Sequence, residues 1–144
     1  MSVVAWDGKV LAADRRSLYG DTITTVRKIF KTPAGEIVAL IGDLDFGMTI
    51  KRWYEEGCKR ESWPQSQKDE RLWVRMIVAN GLNIVFYERT PDPVEVIDPF
   101  MAWGCGREVA LGAMAMGADA VKAVEIASQF TYGCGNGCDW FKVR

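Results

Sequence analysis

Ser2, Asp14 and Lys28 are the residues whose types could do chemistry together. Methionine aminopeptidases commonly remove Met ahead of Ser, so Ser2 is placed to become residue one. The α-amino group then exposed has a pKa of about 7.7–8.0, close to ideal for a general base at neutral pH. Such a serine carries nucleophile and base on one residue. A lysine buried beside it would lower the hydroxyl pKa, and a carboxylate beside the lysine would hold the lysine charged. Lys28 and Asp14 are the candidates for those two tasks. The bland alternatives stand beside them: Ser after Met is a common start, and both charges fit ordinary strand ends.

The chain has no histidine. That removes a Ser-His-Asp triad, a Cys-His pair and any histidine metal site within one chain. Of the four cysteines, Cys134 and Cys138 are spaced C-x-x-x-C, unlike the C-x-x-C of zinc ribbons and redox motifs. Small buried hydrophobes are the expected role for all four, with no disulfide in a reducing compartment. Gly104-Cys105-Gly106 opens a helix, where backbone N–H groups can bind an anion or hold polar groups, although a tight strand-to-helix turn is its usual meaning. No cofactor or metal is expected.

The elements that must position these residues follow from pattern. Ser2–Trp6 and Lys9–Ala13 read as short strands around Asp7-Gly8, a type I′ hairpin signal. Ser17–Thr25 reads as a loop and Val26–Phe30 as a short extended piece. Glu36–Ile41 is a buried strand. Asp43 caps an amphipathic helix from Leu44 to about Lys59, with Phe46, Ile50, Trp53 and Tyr54 at helical spacing. Arg60–Glu70 is a loop holding an exposed Trp63. Leu72–Val78 and Leu82–Glu88 flank Asn80-Gly81 as a second hairpin, and Val94–Ile97 adds a short strand. Arg107–Met116 is a helix. A further helix follows Asp119, with Ala120, Ala123, Val124 and Ala127 on one face, and Trp140–Val143 is a final strand. Hairpins dominate and helices come in blocks, which argues α+β layers with mostly antiparallel sheets and not a doubly wound parallel sheet.

A chain of 144 residues fits one domain, 1–144. Net charge is −1 with both signs dispersed, so no nucleic-acid partner is expected. No apolar stretch approaches the roughly 18 residues of a membrane span, and the start lacks a signal-peptide pattern. No membrane association is expected, and the location expected is cytoplasmic.

Taken together, these motifs resemble the proteasome β subunits and HslV peptidases. The run from Ser2 to Asp14 looks like the family's opening hairpin, whose second strand ends in Gly-Gly-Asp or Ala-Ala-Asp. Arg27-Lys28-Ile29 resembles the site of the active lysine, Val38–Asp43 the strand-to-helix segment with the oxyanion amide, and Trp103–Gly106 the Gly-Ser-Gly turn. The resemblance implies an N-terminal-nucleophile (Ntn) hydrolase fold, a four-layer αββα sandwich with two sheets between helical layers. It implies Ser2 as nucleophile and its amine as base, with Lys28 and Asp14 tuning the pair. It implies the Ala39 N–H at the oxyanion position, and Cys105 and Cys134 in place of two supporting serines. It implies peptide or unfolded-protein substrates, a homo-oligomeric ring and an ATP-dependent unfoldase. This sequence departs from the pattern in using Ser for Thr, Cys for the two serines and Ala39 for the usual Gly. It also has Thr131 near the place of a supporting Asp, and it is short around Arg60–Glu70. A catalytically inactive ring or scaffold subunit and an Ntn amidase of a small amide are the competing functions on the same fold.

Overall fold

The computed structural model describes residues 2–65, 73–81 and 83–143. Met1, the segment 66–72, Leu82 and Arg144 lie outside the described residues. So do the expected removal of Met1, the second part of the chain-length gap at Arg60–Glu70, and the first residues of the Leu72 and Leu82 strands.

The opening hairpin is β1 (Val3–Trp6) and β2 (Val10–Asp14). β2 pairs β11 (Cys138–Lys142) on its far side, and β1 pairs β10 (Met101–Gly104), all antiparallel. The first sheet therefore runs β10-β1-β2-β11. The second runs β5 (Ile29–Lys31), β6 (Ile37–Gly42), β7 (Val74–Asn80), β8 (Asn83–Tyr87), β9 (Val94–Glu95), also antiparallel throughout.

Side chains alternate across each strand, so one strand feeds two cores. In β1 and β2, Val4, Trp6, Leu11 and Ala13 join Ala39, Ile41 and Ile77 between the sheets. Val3, Ala5 and Ala12 face the opposite way, against α2 (Arg107–Ala115) and α3 (Ala120–Phe130). In β6, Val38 and Leu40 meet α1 (Leu44–Glu55) through Ile50 and Trp53. The layers are thus α2/α3, first sheet, second sheet, α1: the αββα sandwich that the family resemblance implies. The small residues on α3, Ala120, Ala123, Val124 and Ala127, are fully buried as the spacing predicts.

Four local expectations need correction. The opening turn centres on Gly8-Lys9, not Asp7-Gly8: Asp7 N–H donates to the Val10 carbonyl (3.3 Å), and Gly8 alone has a positive φ, +96°. That is the type II′ pattern, with glycine at the first central position. Asp7 serves as an acceptor instead, taking Lys9 N–H (2.9 Å), Val10 N–H (2.8 Å) and, from α3, Ala120 N–H (2.9 Å). The expected loop Ser17–Thr25 is a hairpin, β3 (Arg16–Tyr19) and β4 (Thr22–Thr25). Every β4 side chain is exposed, so no buried alternation betrayed the strand. Met101–Gly104 is a strand that the Gly-x-Gly turn obscured. Trp63 is half-buried, edge-on to Trp53 with ring centroids 4.6 Å apart.

The caps give a graded test. The Asp119 side chain accepts Lys122 N–H at the start of α3 (2.8 Å), and Asp119→Ala should cost about 1 kcal/mol in urea unfolding. Asp7→Ala strands three backbone donors and should cost more, about 2–3 kcal/mol. Equal losses for the two variants would mean that Asp7 does not tie the hairpin to α3.

Candidate active site

The first sheet delivers Ser2 and Asp14 together. Val4 pairs Ala13 across the hairpin, so the carboxylate at the end of β2 lies beside the start of β1. Asp14 is fully buried, and both its oxygens are used. Oδ1 accepts from Lys28 Nζ (2.8 Å) and Val3 N–H (3.0 Å). Oδ2 accepts from Gly135 N–H (3.0 Å) and Arg16 N–H (3.2 Å). Lys28 is only 5% exposed, and Ser2 3%. Taking two charges out of water costs several kcal/mol per ion, offset only when the pair is close and its other hydrogen-bonding positions are filled. The backbone donors around Asp14 fill them.

Ser2 and Lys28 line one cleft of about 230 Å³. Its walls are Arg16, Ser17 and Leu18 of β3 on one side and Leu40, Gly42, Asp43 and Leu44 on the other, with Val26 between. The β3 wall is held by Arg16, which donates to Asn136 Oδ1 (3.1 Å) and the Tyr132 carbonyl (2.8 Å). Asn136 in turn donates to Thr24 O (3.1 Å) and Thr25 Oγ1 (2.8 Å). Sequence reasoning missed this wall, because Arg16 and Asn136 are 120 residues apart.

The structure does not bring Ala39 to the cleft. Ala39 sits mid-strand between Ile29 and Ile77, in the core between the sheets. Gly42 is the β6 residue whose amide faces the cleft. Leu40 N–H donates to the Lys28 carbonyl (2.8 Å) and Asp43 N–H to Trp73 O (2.9 Å). Donors on an antiparallel strand alternate sides. Gly42 N–H therefore points the same way as that of Leu40, towards the chain that precedes the start of β5. Gly42 has φ +100°, and a Cβ there would lie 2.0 Å from Trp73 O, so only glycine fits. The sequence signal was a glycine between a buried strand and an aspartate N-cap.

Two cysteines close the site on the helix side. Gly106 N–H donates to the Ser2 carbonyl (3.2 Å), and Cys105 Sγ lies 3.5 Å from that same oxygen. Gly104 (φ +93°) permits the approach, since a Cβ there would lie 2.2 Å from Ser2 O. The amides of the Gly-x-Gly turn thus serve the chain's own backbone. Cys134, fully buried, places its sulfur 3.6 Å from Cys105 Sγ. The hydrogen bond with the Cys134 thiol, helped by that with the Ser2 backbone and opposed by burial, pulls Cys105 down to about 6. The same hydrogen bond and burial push Cys134 up. Burial, with Asp139 and Glu125 nearby, pushes Cys138 up to about 12, and burial raises Cys58. Thr131 caps the end of α3 through its backbone N–H, bonded to Ala127 O (2.9 Å).

The sandwich and its cleft define an α+β protein with a serine, an ion-paired lysine and a strand-end amide facing one space. No protein-family model and no curated protein matches the sequence. Solved structures do. Thiobacillus denitrificans BPH is 19% identical with a TM-score of 0.73, over 100% of this chain and 99% of that one. The same protein in complex with epoxomicin matches equally, over 100% of both chains. The eukaryotic HslV of Trypanosoma brucei is 16% identical with a TM-score of 0.73, over 97% of each chain. The chain has the HslV/proteasome-like fold.

Asp14→Ala removes the carboxylate partner of Lys28 and the acceptor of three amides, and should cost about 3–5 kcal/mol in denaturant unfolding. A loss below about 1 kcal/mol would mean that the pair does not hold the site together. Cys105 should alkylate with a midpoint near pH 6, because its thiolate is present above that value. Cys134→Ala removes the donor and should move the midpoint up towards about 8.5. Mass-resolved iodoacetamide kinetics across pH measures both.

Proposed function

We propose that this chain is an HslV-type peptidase that hydrolyses peptide bonds with Ser2 after loss of Met1. The observation that carries the reading is the shared cleft. Ser2 opens onto the same polar space as Lys28, and the buried Asp14 holds both Lys28 Nζ and the Val3 N–H adjoining Ser2.

The freed α-amine of Ser2 takes the proton from its own hydroxyl as Oγ attacks the scissile carbonyl. The Lys28 ammonium stabilises the developing alkoxide, and the Gly42 N–H, in place of Ala39, receives the oxyanion. A donor at that position is typically worth about 2.7–4 kcal/mol of barrier. The protonated α-amine then passes that proton to the departing amine, leaving a seryl ester and a free α-amine. The amine next deprotonates a water that attacks the ester; the ester C–O bond breaks, the acid is freed and the amine's proton returns to Ser2 Oγ. Cys105 and Cys134 position the Ser2 backbone from the far side. The fold likeness also supports protein or peptide substrates, a homo-oligomeric ring that encloses the clefts, an ATP-dependent unfoldase to feed it, and a cytoplasmic location. No helix among the described residues is long and apolar enough to cross a membrane.

Intact mass and N-terminal sequencing should find Met1 absent. A peptide epoxyketone should then add covalently to Ser2, with the adduct lost in Ser2→Ala and slowed by about 10²-fold or more in Lys28→Ala. Retained Met1 would tie up the base as an amide and leave the chain a non-catalytic subunit. Native mass spectrometry reads the ring.

A further inference from the structure

Cys105 and Cys134 are 29 residues apart in sequence, yet their sulfurs lie 3.6 Å apart. One belongs to the exposed turn before α2, and the other is buried in the turn after α3. Cys134 is wedged in place: a Cβ on Gly106 would meet both its sulfur and Val3 Cβ at 2.9 Å. Cys105 has solvent on one side and therefore room to rotate.

We propose that this pair is a hydroperoxide-reactive dithiol, Cys105 attacking and Cys134 resolving, which closes to a disulfide against the Ser2 backbone.

The thiolate of Cys105 attacks one peroxide oxygen. The O–O bond breaks, the other oxygen leaves as alkoxide or hydroxide and takes a proton from water, and Cys105 becomes a sulfenic acid. The Cys134 sulfur then attacks the sulfenic sulfur. The S–S bond forms, the S–O bond breaks, and the Cys134 proton leaves with the hydroxide as water. The net change is two thiols and one hydroperoxide to one disulfide, one alcohol (water, from hydrogen peroxide) and one water. The sulfurs lose two electrons and the peroxide gains them, and an external dithiol reverses the change. The asymmetry suits the roles, since the accessible sulfur carries the lowered pKa and the enclosed one keeps its proton. Transient disulfides of this kind are the sort that reducing compartments tolerate.

Closure must draw the sulfurs from 3.6 Å to about 2.05 Å. That removes the thiol that meets the Ser2 carbonyl and pulls the 104–106 turn, whose Gly106 N–H holds the same oxygen. Displacing a nucleophile on this scale costs about tenfold to a hundredfold in rate. The effect on hydrolysis rests on the function proposed above, but bond formation does not.

The test uses Cys58→Ser/Cys138→Ser protein, which retains only the pair. Stoichiometric hydrogen peroxide, an alkylation quench and a non-reducing peptide map should give a linked Cys105–Cys134 peptide and the loss of two hydrogens in intact mass. Dithiothreitol should reverse both. In a further Cys134→Ala variant, a dimedone adduct should appear at Cys105. Both cysteines alkylated after peroxide, or Cys105 carried to sulfinic acid with Cys134 free, overturns the proposal. Epoxyketone addition to Ser2 should slow about tenfold or more on oxidation and recover on reduction. A linked peptide with unchanged addition overturns the control of the site. Reduced protein that never labels at Ser2 sinks the peptidase reading, while the peptide map still decides the dithiol.

Discussion

The buried carboxylate of Asp14 is the constraint on which the rest of the site depends. A fully desolvated charge is tolerable only when its lone pairs are filled. Here the fillers come from four places: Val3 at the start of β1, Arg16 at the start of β3, Lys28 ahead of β5, and Gly135 in the turn after α3. Meeting the needs of one carboxylate thus fixes both strands of the opening hairpin, the entry to the second sheet and the turn that carries Cys134.

The two sheets make that convergence rigid. β1 and β2 are buried on both faces, one against the second sheet and one against α2 and α3. Val3 and Asp14 therefore cannot move apart without opening two cores. The second sheet contributes from its strand ends, where pairing stops: Lys28 where β5 has not begun, and Gly42 where β6 gives way to α1. Backbone groups are left open at such ends, whereas an amide in mid-sheet, such as that of Ala39, already lies between two paired strands.

On the helix side the chain serves its own first strand. The Gly104–Gly106 turn gives an N–H and a thiol to the Ser2 carbonyl, and glycine at 104 is what lets that oxygen come close. Cysteine in place of a hydroxyl is more than a weaker donor. Two adjacent sulfurs can join in a disulfide, redox chemistry that two serines lack.

The layers were legible in the sequence because burial leaves a period. Short apolar runs on either side of a glycine turn and before Asp43 mark buried strands, and alanines spaced along α3 mark its inner face. The absence of histidine, and a hydroxyl beside a removable methionine, narrowed the chemistry before any coordinates. The sequence could not display what depends on position in space. The exposed β3–β4 hairpin buries no alternating face, so it left no pattern. The choice between Ala39 and Gly42 turns on which side of a strand has lost its neighbour. Cys105 and Cys134 meet because α2 and α3 pack on the same sheet face. Composition and period determined the kinds of element and the kind of chemistry, since both depend on neighbours along the chain. The fold decided which groups share a cleft, since that depends on neighbours brought together from far apart.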